Sequence, residues 1–225
     1  SSMVVDSCMQ IFGGYGFIEE YPLAMAYRDD RINQIWEGTN EINRAIITGY
    51  MMKKVLMEEI SLREILVEMD RFLSEDVTHD ADDVLSIEKH CLYGAKILAS
   101  FIFQEALCTY GQDLKHEQQL SEMIADIFTY IYTSESVLCR AQQSLGSNGI
   151  TNMTLAIAKT NVADSLLDII KLSSICINSI FSSSIPLEIN DKVNKLQNLL
   201  KLNTDTITLK KSLGRYILEK KEYPF

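Results

Sequence analysis

The sequence has little of what would mark a membrane-spanning, secreted or nucleic-acid-binding protein. It contains 3 prolines and 10 glycines in 225 residues, and no run approaches the roughly 18 uninterrupted apolar residues that a membrane span requires. The N-terminus lacks the charged-then-apolar pattern of a secretory signal. Basic residues are outnumbered, 21 Lys and Arg against 31 Asp and Glu, for a net charge of -10. This balance argues against nucleic acid and a polybasic membrane patch, and we expect an intracellular protein.

Paired cysteines are also missing. The five cysteines are odd in number, form no Cys-x-x-Cys pair and fall in apolar helical contexts; they are Cys8, Cys91, Cys108, Cys139 and Cys176. Without paired spacing, a disulfide framework or a metal site is not indicated. We expect buried free thiols.

What the sequence does contain is a series of long amphipathic helices. Apolar residues recur at three- and four-residue steps through 84–110, 116–145 and 150–181, and almost no segment alternates with the period of a strand. Shorter helices are predicted over 62–75, capped by Ser61, and over 190–201 and 206–221. Long helices joined by short breaks predict an all-α fold, an antiparallel helical bundle.

The first part of the chain has a different pattern, with more glycines and shorter helices. A helix over 3–12 should stop at Gly13-Gly14, Pro22 should open a short helix over 23–29, and Thr39 or Asn40 should cap a helix over 41–58. We place a domain boundary near residue 58, dividing the chain into 1–58 and 59–225. Further breaks are predicted in the acidic stretch 75–83, at Gly146-Ser147-Asn148-Gly149, at Pro186 and at the end of the chain, Tyr223-Pro224-Phe225.

Glu37 is the acid that is hardest to explain structurally. Ile35 and Trp36 precede it and Ile42 follows it, so the carboxylate is expected beside apolar surface, which raises a carboxylate pKa and favours its use as a base. Its position just before a helix N-terminus acts in the opposite direction, because the helix dipole stabilises the ionised form. The sequence alone leaves open which effect is larger.

Four motifs in fixed order carry a resemblance to a known family. They are Gln10-Ile11-Phe12-Gly13-Gly14-Tyr15-Gly16-Phe17, Glu20-Tyr21-Pro22, Tyr27-Arg28-Asp29-Asp30-Arg31-Ile32 and Ile35-Trp36-Glu37-Gly38-Thr39-Asn40-Glu41-Ile42-Asn43-Arg44. In order and spacing they resemble the C-terminal signature of the acyl-CoA dehydrogenases, flavoproteins of fatty acid beta-oxidation and lipid metabolism.

The resemblance implies an oxidoreductase that converts acyl-CoA thioesters to trans-2-enoyl-CoA. Glu37 would abstract the α-proton while FAD takes the β-hydride, and an electron-transfer flavoprotein would accept the electrons. The implied FAD contacts are Gln10, Ile11, Phe12, Gly13 and Gly14, often provided to the neighbouring subunit, with Thr39, Asn40 and Glu41 at the start of a helix whose free N–H groups favour a phosphate. Trp36 and Gly38 would contact the substrate. Many members carry an uncharged amide at the position of Glu41.

The residues after the signature extend the resemblance. Shorter members stop soon after the helix that follows the Glu-Gly-Thr motif, whereas this chain continues through residues 59–225. That is similar to the very-long-chain branch, whose members carry an extra C-terminal helical domain and tend to form homodimers. The enzyme is then expected in the cytoplasm of a bacterium or in the mitochondrion of a eukaryote.

The opening of the chain suggests a second interpretation. It begins in what reads as mid-helix sequence, as expected for a fragment of a longer protein, and the β domain that supplies most flavin and acyl-CoA contacts in the family is missing. We therefore expect the isolated chain not to retain FAD. The alternative function is a helical dimerisation or docking module without activity of its own, and an amphipathic stretch such as 61–75 is expected to contact a partner helix rather than a membrane surface.

Overall fold

Ten α-helices and one 3-10 helix make up the computed structural model, which describes residues 1–75, 83–145, 152–182 and 184–221. These ranges contain no strand, so the predicted all-α class is confirmed. The helices are α1 (Ser2–Phe12), α2 (Gly14–Phe17), α3 (Pro22–Ile32), α4 (Asn40–Leu56), α5 (Ile65–Ser74), α6 (Ser86–Tyr110), the 3-10 helix (Gly111–His116), α7 (Gln118–Leu145), α8 (Asn152–Phe181), α9 (Leu187–Leu199) and α10 (Thr206–Lys220).

The core is built around α6. Helices α7 and α8 pack on α6 and on each other, α5 and α9 also pack on α6, and α10 packs on the outer side of α8. Because α6, α7 and α8 are consecutive, long and joined by short connections, neighbouring members run antiparallel. The largest fully buried side chains are Phe101, Phe103, Met69, Leu85, Leu98, Ile102, Leu114, Ile124, Ile127, Leu166, Ile169 and Leu196.

Helix α6 ends where the sequence predicts. Gly111 follows it with a φ of 55°, in the left-handed region that glycine adopts without steric cost, and its N–H donates to the Leu107 carbonyl. The 3-10 helix that comes next was not predicted. With that extension, α6 is long and apolar enough to cross a membrane, but most of its apolar stretch is buried among other helices, as in the core helix of a globular domain.

Helix α5 starts later than predicted, whereas helix α8 ends where the sequence predicts. Helix α5 begins at Ile65 after Glu64, and Ser61 caps nothing; residues 57–64 form turns in which Glu58 has a φ of 57° and binds Arg63 at 2.8 Å. Helix α8 ends at Phe181, and Ser182 follows it with a left-handed φ of 55°. Pro186 is the N-cap residue of α9.

Three predicted breaks lie wholly or mainly outside the described residues. They are the acidic linker over 75–83, the glycine-containing break over 146–149 and the end of the chain at 223–225.

The free thiols are only partly as predicted. All five cysteines are unpaired, but Cys108 and Cys139 are exposed and Cys8 is half-buried, so only Cys91 and Cys176 are buried. Burial raises the pKa of the Cys91 thiol to about 11 and that of Cys176 to about 12, which keeps both protonated near neutral pH. The spacing of apolar residues in the sequence did not show which cysteines face the core and which face solvent.

The first three helices pack mainly on one another, whereas α4 contacts the bundle. Helices α1, α2 and α3 form a small cluster, and α4 lies against α7 and the 3-10 helix. The chain turns at Glu58, where the domain boundary was predicted. Because α4 lies before this turn and still packs on α7, the two predicted domains share a contact, and their division stays a prediction.

Candidate functional site

The glycine segment forms a turn between α1 and α2. Gly13 has a φ of 58°, and its N–H donates to the Gln10 carbonyl at 3.2 Å. A Cβ added at Gly13 or Gly14 would meet no atom within 4 Å, whereas one at Gly16 would lie 2.7 Å from the Met9 carbonyl oxygen. Gly13 is therefore required by backbone conformation, Gly16 by close packing, and the outer side of the turn is open to a ligand or another chain.

A surface cleft of about 800 Å³ lies beside this turn. Gln10 and Gly13 line it together with residues of α1, α2, α3 and the connection between α2 and α3, namely Asp6, Met9, Phe17, Ile18, Glu19, Glu20, Ala24, Tyr27 and Arg28. Arg28 binds Glu19 at 2.7 Å across the cleft wall. Ile11 and Phe12 are exposed. Two of the predicted cofactor residues, Gln10 and Gly13, therefore lie at a surface cleft.

Glu37 lies in a second turn, between α3 and α4. Its φ is 52° and that of Gly38 is 98°, so two successive residues have left-handed conformations. For a glutamate this conformation costs roughly 1 kcal/mol and is retained only where surrounding contacts enforce it. Such strain is often associated with functional sites.

Two asparagine side chains and one backbone bond enforce the turn, and the sequence reasoning missed their role. The Trp36 indole N–H donates to Asn33 Oδ1 at 3.1 Å, Asn43 Nδ2 donates to the Gly38 carbonyl at 3.0 Å, and the backbone carbonyl of Gln34 accepts the Asn40 N–H at 3.2 Å. Asn side chains close to a predicted turn were the available signal, because such side chains commonly satisfy turn backbone.

The apolar surroundings predicted for Glu37 are not present in this chain. Glu37 is exposed, and the neighbouring Trp36 is 57% exposed. The residues adjacent in sequence do not fold over the carboxylate, because the chain reverses direction at Glu37-Gly38. The expectation that sequence neighbours desolvate Glu37 was wrong for this chain, while its role as a base stays a prediction.

The N-terminus of α4 is capped by its own residues. Thr39 Oγ1 accepts the Ile42 N–H at 3.3 Å, and the Thr39 carbonyl accepts the Asn43 N–H at 2.9 Å. The backbone N–H of Glu41 and then the Thr39 hydroxyl bond the Glu41 carboxylate and lower its pKa. With the Asn40 N–H also bonded, the first-turn donors are occupied, so the free N–H groups expected for a phosphate are not available here.

The two groups of predicted cofactor residues are separated by the length of α1: the Gln10–Gly14 turn lies at its end, and Thr39, Asn40 and Glu41 lie near its start. Gln34 donates to Ser2 Oγ, and Ser1 and Ser2 hydrogen bonds lower the pKa of Asp30, so the start of α1 lies near the Glu37 turn. The Gln10–Gly14 turn is at the other end, roughly 12 Å further along at 1.5 Å per residue. This chain does not gather the predicted residues into one compact cluster.

Comparison with known proteins agrees with the motifs. Two family models, both described as "Acyl-CoA dehydrogenase, C-terminal domain", match residues 2–52 and 95–182. A probable acyl-CoA dehydrogenase of Bacillus subtilis is 36% identical over 160 residues, which are 71% of this chain and 27% of that protein. A subunit of the caffeyl-CoA reductase–Etf complex of Acetobacterium woodii is 46% identical over 46 residues, 20% of this chain and 12% of that subunit.

A solved structure is similar over nearly the whole fold. The crystal structure of an acyl-CoA dehydrogenase complexed with FAD from Bacillus anthracis superposes with a TM-score of 0.88 and 28% identity, over 99% of this chain and 38% of that one. The chain therefore spans well under half the length of these relatives. The signature motifs, both family models, the relatives and the fold agree, and the chain belongs to the acyl-CoA dehydrogenase family.

Proposed function

We propose that this chain is the C-terminal part of an FAD-dependent acyl-CoA dehydrogenase and that Glu37 is its catalytic base. The observation that carries the proposal is the Glu37 turn: a carboxylate held in a left-handed conformation, beside a glycine, by side chains on both sides of it. Glu58 is also left-handed, so the conformation alone does not mark a base. What distinguishes Glu37 is the left-handed Gly38 that follows it and the bond from Asn43 to the Gly38 carbonyl, which hold a costly conformation in place.

The turn suits proton abstraction from carbon. The α-proton of an acyl-CoA thioester is weakly acidic, and an ionised carboxylate within reach can accept it. Trp36 and Gly38 lie on either side of Glu37 in the sequence and would contact the acyl and thioester parts of the substrate. Packing of the rest of the enzyme against Trp36 would exclude water from the carboxylate and make it a stronger base.

The two groups of residues that would hold FAD differ in the contacts they could make with the cofactor. The open Gly13-Gly14 turn fits a close approach of backbone to the cofactor, and Gln10, Ile11 and Phe12 adjoin it with exposed surface. Thr39, Asn40 and Glu41 would contact it through side chains, since the N–H groups of Asn40 and Glu41 are already bonded. Bound FAD supplies the hydride acceptor for the substrate β-carbon.

The separation of these two groups favours a site shared between subunits. The Gly13 turn of one chain would contact the cofactor of its neighbour, in a homodimer of the kind implied by the very-long-chain resemblance and the residues 59–225 extension. An electron-transfer flavoprotein is the proposed electron acceptor; the Acetobacterium woodii relative is named as part of an Etf complex.

Glu37→Gln in the complete enzyme tests the assignment. The amide keeps the shape of the side chain but cannot accept the proton, so flavin bleaching by a long-chain acyl-CoA should be abolished. Glu58→Gln is the matched control, because Glu58 is also an exposed glutamate with a left-handed φ of 57°. It should bleach at the normal rate, and near-normal bleaching by Glu37→Gln would rule out the proposed base.

The exposed apolar surface of the first four helices favours the alternative function, a dimerisation or docking module. Apolar side chains of these helices and their connections face solvent, among them Met3, Ile11, Phe17, Trp36, Ile42, Ile46 and Tyr50. A surface of this kind marks an interface. Purified alone, the chain should form dimers in size-exclusion chromatography with light scattering and show no flavin absorbance; a stoichiometric flavin band would contradict the inactive-module interpretation.

A further inference from the structure

Helix α4 connects the Glu37 turn to the helical bundle, and its contacts with α7 are specific. Arg44 Nε donates to Asp126 Oδ1 at 2.6 Å, and Arg44 Nη1 lies 3.2 Å from Glu122 Oε1. The Arg44 and Asp126 side chains are both partly buried, which strengthens the pair relative to one in water. The hydrogen bond to Asp126 raises the pKa of Arg44.

One turn further along α4, a buried hydrogen bond makes a second contact between α4 and α7. Thr48 Oγ1 donates to the Ser121 carbonyl at 2.8 Å, and Ser121 Oγ donates to the Leu114 carbonyl at 3.0 Å. Thr48 is 2% exposed and is the only buried side chain of α4. The chain of bonds runs from α4 through α7 to the 3-10 helix.

Within the described residues, these are the first hydrogen bonds and ion pairs that α4 makes with the bundle. Asn40, Glu41, Ile42 and Asn43 are exposed, so the first turn of α4 has little support from the bundle before Arg44. Helix ends without tertiary contacts fray at little cost. Asn43 belongs to that turn and also bonds the Gly38 carbonyl, so fraying would release the Glu37 turn.

We propose that the bundle holds the Glu37 turn in place by gripping α4 at Arg44 and Thr48, which makes Arg44, Thr48, Glu122 and Asp126 positioning residues. The catalytic role of this turn rests on the proposed function, but the contact between the bundle and α4, here called the mechanical link, does not. This link gives residues 59–225 a role, which is to fix the helix that begins at the proposed active site. The contacts join residues 73 and 82 positions apart in sequence.

The link is tested on the chain itself by hydrogen exchange and by fluorescence of Trp36, the only tryptophan, which adjoins Glu37. The variants are Thr48→Val and the double variant Glu122→Gln/Asp126→Asn. Each should speed exchange of the Asn40–Asn43 amides roughly tenfold and change the Trp36 emission, since a lost buried or charge-assisted bond changes a local opening constant by about that factor. Glu135→Gln is the control: it removes the ion pair between Glu135 of α7 and Lys96 of α6, which does not involve α4, and should change neither signal.

Two results would overturn the link. One is wild-type exchange at Asn40–Asn43 in both variants. The other is exchange that rises equally across α6 and α8, because the contacts would then support the whole bundle and not the turn.

The catalytic consequence is tested separately in the complete enzyme. Arg44→Met should lower the maximal rate of flavin reduction several-fold with an unchanged half-saturating substrate concentration, and Arg44→Lys should restore most of it, because the ammonium can still pair with Asp126. An equal loss with both variants would overturn the positioning role in catalysis. If Glu37→Gln were active while the exchange result held, the proposed function would fail and the mechanical link would stand.

Discussion

The first 58 residues and the bundle that follows use apolar side chains in opposite ways. In the first region only Gly16 and Thr48 are buried, and Phe17 is 79% exposed. In the bundle, α6 alone buries 12 residues, including Phe101, Ile102 and Phe103. Both regions are helical, so secondary structure does not account for the difference.

The difference shows which region this chain can stabilise by itself. Burial of apolar surface is the main favourable term in folding, and the bundle obtains it within the chain. Helices α1–α3 leave apolar side chains exposed, and with their connections they carry three of the four motifs of the proposed site. A binding site that is completed by another domain or subunit requires exposed apolar surface, whereas a core formed within one chain does not.

The largest test of this comparison makes the same substitution in both regions. Phe101→Ala should destabilise the chain by about 3–5 kcal/mol, because it removes a fully buried ring and leaves a cavity. Phe17→Ala should change the free energy of unfolding by less than about 0.5 kcal/mol, because its ring is already in water. Urea unfolding followed by circular dichroism measures both.

A large loss from Phe17→Ala would break the comparison, because the ring would then be buried in solution. A dimer that covers Phe17 is the obvious cause. Repeating the Phe17→Ala measurement over a range of protein concentrations would identify it, since dimer stability depends on concentration.

The helices of the bundle could be predicted from sequence because their cause is local. Apolar periodicity and the left-handed preference of Gly111 lie within a few residues of the structure they determine. Ser61 failed as a cap because the turns over 57–64, which include the left-handed Glu58, delay the start of α5 to Ile65. The 3-10 helix was missed because part of its support, the bond that the Leu114 carbonyl accepts from Ser121 Oγ of α7, lies outside the segment's own pattern.

The second test adds a methyl group at one glycine in each region, because the space beside the two glycines differs. A Cβ at Gly94 on α6 would lie 2.9 Å from two carbons of the Phe72 ring and 3.1 Å from Leu200 Cδ2, all in the packed core. Gly94→Ala should therefore destabilise the chain by about 1–3 kcal/mol, less the helical preference of alanine. Differential scanning calorimetry measures the shift.

Gly49 on α4 is the matched position. A Cβ there meets no atom within 4 Å, so Gly49→Ala should raise stability by about 0.5–1 kcal/mol through helix propensity alone. If both substitutions stabilised the chain, the packing assigned to α6 around Gly94 would be wrong.

The candidate site could be predicted only in part, and the missing part is not local. The turn at Gly13, the cap at Thr39 and the turn at Gly38 follow from residue types at those positions. The surroundings of Glu37 do not, because no neighbour in sequence covers it. The Arg44–Asp126 pair joins residues 82 positions apart, and a single sequence contains no signal for such a pairing.

The two regions also cap their helices with different chemistry. In the first region a hydroxyl, Thr39 Oγ1, caps α4, and the Glu41 carboxylate bonds its own N–H. In the bundle a carboxylate caps α10: Asp205 accepts the Thr208 hydroxyl at 2.6 Å and the Thr208 N–H at 3.0 Å. The carboxylate cap of α10, unlike the Thr39 hydroxyl that caps α4, can be titrated directly.

The smallest predicted effect follows from that titration. The Thr208 hydroxyl, and then its N–H, lower the pKa of Asp205 below its ordinary value of 3.8. Because the folded-state pKa is depressed, the cap stabilises α10 fully above that ordinary value and loses its contribution as pH falls through the folded pKa. NMR of the Asp205 carboxyl carbon should show this low titration, and Thr208→Val, which removes the hydroxyl donor, should move it back toward the ordinary value. An Asp205 signal that titrates at the ordinary value in the unmodified chain would mean that the carboxylate does not cap α10 in solution.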